Sequence, residues 1–141
     1  MKKILIVSAN YYKDISKNLI INAKKKLQNA KFNSSLLIVP GVYEIPIAIR
    51  KNINKFDGFL ALGCVIKGQT PHFEFICSST FYTILNLSVD FNKPIGNGII
   101  TALNLSQASQ RSNKSLNNKL NKGSEAANAV ISIYKNGPKK I

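Results

Sequence analysis

Residues 59–66 read Phe-Leu-Ala-Leu-Gly-Cys-Val-Ile, eight positions without a charged or amide side chain. A strand with one face in water alternates apolar and polar residues, whereas an uninterrupted apolar run needs cover on both faces. Such cover comes from helices packed on either side of a parallel sheet. The rest of the chain agrees. Short apolar runs at 4–8, 35–39 and 95–103 alternate with longer amphipathic stretches, the pattern of an α/β protein. No apolar run reaches the roughly 18–20 residues of a membrane span. The apolar start after Met-Lys-Lys is too short for a secretory signal, and no small-residue cleavage site follows it.

The spacing predicts a helix from Ile15, capped by Asp14, with Leu19, Ala23 and Leu27 on one face and Lys24 to Lys26 near its end. Further helices are expected at 43–54, 73–89, 106–112 and 123–134. Pro46 fits the first of these only in its opening turn, where a missing N–H costs little. Residues 112–121 read as a polar linker and 135–141 as a frayed tail. At 141 residues with 45% hydrophobic content the chain suits a single domain over 1–141. Four strands with intervening helices give a flavodoxin-like three-layer α/β/α sandwich on a four-stranded parallel sheet. Ligands of such sheets sit beyond the carboxyl ends of the strands.

Charge qualifies this picture. There are 20 Lys+Arg against 6 Asp+Glu, a net charge of +14. The excess by itself would suit a nucleic-acid partner. The basic residues are almost all Lys, however, amid abundant Asn and Ile, which reads as compositional drift on solvated faces. Cys64 and Cys77 have neither CxxC spacing nor His/Cys companions, so a zinc site or disulfide framework is not expected, and a reducing cytoplasmic compartment is.

The loops after the strands hold the chemistry. Gly68-Gln69-Thr70-Pro71-His72 leads straight into a helix, whose unpaired N–H groups and dipole can hold a phosphate. Thr70 either donates its hydroxyl to that anion or caps the helix. His72, the single histidine, is either an acid/base group suited to neutral pH or a surface residue. Arg111 is one of two arginines; a planar fork suits phosphate, but a solvated helix end would also explain it. Lys122 could add a second cation. Lys122-Gly123 is not a P-loop, and Gly96-Asn97-Gly98 is not a dinucleotide fingerprint. Glu44 could accept from ring N–H donors. Glu74 is explained by the helix dipole. Tyr11 and Tyr43 either stack on a planar ligand or pack. Cys64 reads as a small core residue rather than a nucleophile.

In sequence order these segments resemble one family. Val39-Pro40-Gly41-Val42-Tyr43-Glu44-Ile45-Pro46 resembles the VPGAFEIP motif of the 6,7-dimethyl-8-ribityllumazine synthases. The stretch from Ala61 to Glu74, ALGCVIKGQTPHFE, resembles their ALGCVIRGETPHFD, and Asn121-Lys122-Gly123-Ser124-Glu125-Ala126-Ala127 resembles NKGxEAA. Asn97 to Thr101 and Gln107 to Arg111 fit between, so the likeness runs over about 4–134.

The resemblance implies a transferase. It would condense 5-amino-6-(D-ribitylamino)uracil with 3,4-dihydroxy-2-butanone 4-phosphate, releasing phosphate and water, in the penultimate step of riboflavin biosynthesis, without cofactor or metal. Tyr11, where many members have Phe, would stack on the pyrimidine. Val42, Tyr43, Glu44, Cys64, Val65, Ile66 and Asn97 would bind the uracil and ribityl chain. Gln69, Thr70, Arg111 and Lys122 would bind the phosphate, and His72 would transfer protons. Asn97, Arg111 and Lys122 would come from the neighbouring subunit.

The partners implied are the two small-molecule substrates, further copies of the chain, and riboflavin synthase as the taker of the product; nucleic acid and membrane are not among them. The segment between Arg111 and Asn121 is about three residues longer than the family's RAGTKAGN spacing, which favours a homopentamer over a 60-subunit shell. The chain starts directly at its first strand, with little of the N-terminal extension of many members. Asn10 stands where many carry Arg. Two other readings remain open: a polyanion-binding module driven by charge, and a family member that binds flavins or lumazines without catalysis.

Overall fold

The computed structural model describes residues 1–113, 115 and 120–141. Its elements in chain order are β1 (Lys3–Ala9), α1 (Lys13–Asn29), β2 (Asn33–Val39), a 3-10 turn (Val42–Glu44) running into α2 (Ile45–Asn52), β3 (Gly58–Ile66), α3 (His72–Phe91), β4 (Ile95–Ala102), α4 (Leu105–Arg111) and α5 (Lys122–Lys135). The four strands form one parallel sheet in the order β2-β1-β3-β4. The expected α/β sandwich is what the chain forms. Of the 112–121 stretch read as a linker, residues 114 and 116–119 lie outside the described residues.

Alternation along the strands builds two cores. Ile4, Ile6, Leu60, Leu62, Cys64 and Ile100 face one side and pack against Ile15, Leu19, Ala23 and Leu27 of α1 and Ala126, Ala127 and Val130 of α5. Leu5, Val7, Phe59, Ala61 and Ile99 face the other and meet Val42, Ile45, Ile49 and Ile53 of the α2 side and Ile84 of α3. β1 and β3 are therefore apolar on both faces because both are covered. Each such aliphatic side chain contributes about 1.5–3 kcal/mol by leaving water.

On the α5 side the backbones come very close. A Cβ on Gly96 would lie 2.2 Å from the Ala126 carbonyl oxygen, and one on Gly123 would lie 2.2 Å from that of Leu19. Only glycine permits these two approaches, which lock α5 onto β4 and α1.

Three local expectations are corrected. Asp14 does not cap α1: the helix starts at Lys13, Tyr12 occupies the cap position without a side-chain bond, and Asp14 lies in the first turn, where the dipole favours its charge. Thr70 does not cap α3, because Pro71 holds that position and no side chain bonds there. The ends of the 112–121 stretch are not solvated: Ser112 and Asn121 are buried. Burial is tolerated because both are bonded, Ser112 Oγ to the Ala108 carbonyl and Asn121 to two backbone groups. Pro46 sits in the first turn of α2 as expected. Residues 136–141 follow α5 without regular structure and are exposed.

Candidate active site

In the strand order β2-β1-β3-β4, the chain leaves β1 toward β2 on one side, while β3 flanks β1 on the other. The connections after β1 and β3 diverge there and open a crevice at the carboxyl ends. A cavity of about 580 Å³ occupies it, lined by Tyr11, Tyr12, Gly41, Val42, Tyr43, Cys64, Val65, Ile66, His72 and Ile76. This size suits a small organic ligand, and the lining is mostly apolar and aromatic.

Each wall has a local cause. The loop after β1 is pinned by the Asn10 N–H donating to the Val39 carbonyl at 3.1 Å and by Ser16 Oγ donating to the Ala9 carbonyl at 2.5 Å. It presents Tyr11, 77% exposed, with its ring edge-to-face against Tyr12 at 5.0 Å. An aromatic face left in water at the mouth of a crevice is available to stack on a planar ligand. After β2, Pro40-Gly41 turns the chain into the 3-10 turn, whose Val42 packs into the core while Tyr43 stays 70% exposed. The last residues of β3 form the floor. Burial pushes the Cys64 thiol up to about 11, so it stays protonated at neutral pH and serves as a small apolar wall.

The loop after β3 is exposed from Lys67 to Pro71. Its base is held by the Lys67 N–H donating to the Ala102 carbonyl at 2.9 Å and by an ion pair of Lys67 with Glu74 at 3.6 Å. At about half exposure on both sides this pair is worth under ~1 kcal/mol and fixes geometry more than stability. His72 is the first residue of α3, exposed, and borders the cavity.

The sequence candidates divide accordingly. Tyr11, Val42, Tyr43, Cys64, Val65, Ile66 and His72 come together around the one cavity. Gln69 and Thr70 stand out in the exposed loop and do not line it. Glu44 does not line it either; with Tyr43, Pro46 and Ile47 it borders a second cavity toward Ser79, Thr80 and Thr83 of α3, about 490 Å³. Its carboxylate folds back over Gly41, with Oε2 3.2 Å from where a Cβ there would lie.

Asn97, Arg111 and Lys122 are absent from the cavity lining within the protomer. Asn97 lies on edge strand β4, exposed, with Oδ1 accepting from the Ile99 N–H at 3.0 Å. Arg111 ends α4 and donates from Nη1 to the Gln107 carbonyl at 3.1 Å. Lys122 begins α5 and pairs with Glu125 at 3.3 Å.

Tyr12, Gly41 and Ile76 line the cavity and were not singled out from sequence. Ile76 lies one helical turn beyond His72, a spacing that signals it. Tyr12 carries no such signal: it is half-buried, and its phenol is shifted up by burial, then by Cys64 and Tyr11. Among the described residues, no group of three or more His, Cys, Asp and Glu could hold a metal ion, and no helix is long and apolar enough to cross a membrane.

Residues 1–136 match the family model described as 6,7-dimethyl-8-ribityllumazine synthase. Proteins bearing that name are similar over most of the chain. The one from Afipia carboxidovorans is 39% identical, over 94% of this chain and 84% of the relative. That from Bartonella tribocorum is 39% identical, over 94% and 89%, and that from Bartonella bacilliformis 38%, over 94% and 90%.

Proposed function

Because the chain belongs to the 6,7-dimethyl-8-ribityllumazine synthase family, we propose that the strand-end cavity holds the pyrimidine substrate and that the exposed loop and cations outside it hold the phosphate. The protein is a transferase of riboflavin biosynthesis. It condenses 5-amino-6-(D-ribitylamino)uracil with 3,4-dihydroxy-2-butanone 4-phosphate to 6,7-dimethyl-8-ribityllumazine. An amine adds to the ketone and loses water to give an imine, phosphate is eliminated, and the second amine closes the ring with loss of another water. The steps require register between two substrates and proton movement. Orientation can supply ~7–11 kcal/mol, and a placed acid/base about 10²–10⁴-fold.

The observation that carries this reading is the lining: the exposed Tyr11 ring, the Val42-Tyr43 turn and the Cys64-Val65-Ile66 floor converge on one cavity with His72 at its edge. Tyr11 stacks on the uracil ring. Val42, Tyr43, Cys64, Val65 and Ile66 hold the ring and ribityl chain, with Glu44 accepting from N–H donors of the ring. His72 moves protons between the reacting nitrogens and oxygens. Gln69 and Thr70 receive the phosphate at the start of α3, where backbone N–H groups are unpaired.

Asn97, Arg111 and Lys122 complete the site from a neighbouring copy. Their absence from the cavity of their own protomer supports this, as does α3, whose Phe75, Tyr82, Leu85 and Val89 are all more than 60% exposed. The assembly is a homopentamer, and a native mass measurement giving a particle of 60 subunits would replace that reading with the shell.

Mixing both substrates and following lumazine absorbance and fluorescence tests the reaction. Arg111→Ala should raise KM for the phosphate-bearing substrate far more than for the pyrimidine; an unchanged KM would remove Arg111 from the phosphate site.

A further inference from the structure

We propose that Asn121 is a positioning residue that straps the two cations of the phosphate site, Arg111 and Lys122, into one unit. This rests on the phosphate reading of those two residues.

Asn121 is fully buried, and its amide is used at both ends. Oδ1 accepts from the Ser124 N–H at 3.0 Å, the bond of a helix N-cap on α5. Nδ2 donates to the Asn113 carbonyl at 2.9 Å, eight residues earlier in the chain. Capping needs only an acceptor, and Ser, Thr or Asp would serve it about as well. Among the good caps only Asn carries its donor on a second atom, so it can accept at the cap and donate elsewhere; a Ser or Thr hydroxyl sits one bond closer to the backbone, with donor and acceptor on the same oxygen. That second bond is what capping leaves unexplained, and it reaches across to the end of α4.

The positions joined are those of the two cations. Asn113 lies two residues beyond Arg111, and Lys122 is the next residue after Asn121. On the far side of the strap both helix ends are fixed independently. Ser112, buried, donates from Oγ to the Ala108 carbonyl at 2.9 Å and closes the last turn of α4. Gly123 presses the first turn of α5 against the Leu19 carbonyl with no room for a Cβ. Two like charges aimed at one anion repel each other while the site is empty. Holding their backbones together in advance removes that ordering cost from binding.

The test is steady-state kinetics on the assembled enzyme, varying each substrate in turn, for Asn121→Ser, Asn121→Thr, Arg111→Ala and the Arg111→Ala/Asn121→Ser double variant. Ser and Thr keep the cap and lose the strap, and two variants guard against one that folds poorly. The expected result is a rise in KM for the phosphate-bearing substrate of roughly five- to tenfold in both, about one hydrogen bond's worth, with KM for the pyrimidine unchanged. In the double variant that KM should exceed Arg111→Ala by a smaller factor than Asn121→Ser exceeds the wild type, since with one cation gone the strap has no pair left to hold together. A purely structural role predicts additive losses in both KM values, and that result overturns the proposal. An unchanged phosphate-substrate KM in both Asn121 variants, with a raised KM in Arg111→Ala, overturns the strap alone. An unchanged KM in Arg111→Ala overturns the phosphate reading and the strap with it.

Discussion

Helices α5 and α3 cover opposite faces of one sheet, yet five of the fourteen residues of α5 are buried against two of the twenty in α3. On the α5 side, Gly96 and Gly123 bring backbones into contact, and the exposed apolar residues are scattered: Ile133 of α5, Leu36 and Ile38 on edge strand β2 and Ile21 of α1. On the α3 side, Phe75, Tyr82, Leu85 and Val89 stand in water. Packing density therefore separates two tasks. The tight layer holds the protomer together. The loose layer carries the start of α3, where His72 and Ile76 border the cavity, and leaves the apolar surface that the proposed assembly would use.

Four experiments break or sharpen this contrast. The largest effect is expected in the tight layer. Gly96→Ala drives a Cβ to 2.2 Å from a backbone oxygen and should cost about 3 kcal/mol in urea or thermal unfolding, because the two nearest atoms belong to the Ala126 backbone, which cannot swing away. A cost under ~0.5 kcal/mol would show that α5 can shift and that the tightness is illusory. Next, in the loose layer, His72→Ala should lower kcat about 100-fold without abolishing turnover and leave the melting temperature unchanged, since the residue is exposed. A full wild-type rate would remove His72 from the mechanism.

The third concerns Cys64, at the border of core and cavity. Its thiol holds its proton to about pH 11 when folded, against about 9 when unfolded. Stability is thus unaffected by this group below pH 9 and falls as pH rises from 9 to 11, by up to about 2 kcal/mol. Cys64→Ala should flatten that slope in melts taken across the window. Tyr12 and Tyr134, whose phenols are also shifted up, keep part of the slope above pH 10. An identical slope in the variant would mean that water reaches the thiol. The smallest effect on the protomer is expected from Leu85→Glu with Val89→Glu: far-UV circular dichroism should be unchanged, with local stability moved by ~0.5 kcal/mol or less, while the native mass falls. An unchanged mass would free this face from any role in assembly.

Much of the architecture was readable in the chain. The run 59–66, the apolar spacing of Leu19, Ala23 and Leu27 and Pro46 in an opening turn are local signals, and the strands and helices formed where those signals stood. Seven of the proposed site residues also converge, because they sit at the ends of strands whose direction the α/β pattern implies. Helix starts were less legible. Asp14 and Thr70 have good capping side chains, but the backbone entered the helix one or two residues away, and a carboxylate inside the first turn gains from the dipole almost as much.

What the sequence determined by itself was periodicity, element type and the motifs that mark the family, since these depend on neighbours a few residues apart. Tertiary structure alone decided the strand order that opens a crevice between β1 and β3, the entry of Tyr12 into its wall, and the turn of Glu44 toward a second cavity. It also decided that a segment read as a polar linker has buried ends joined through Asn121. Such features depend on groups distant in the chain meeting in space, and a polar residue's pattern in sequence is the same whether its partner is water or a carbonyl eight residues away.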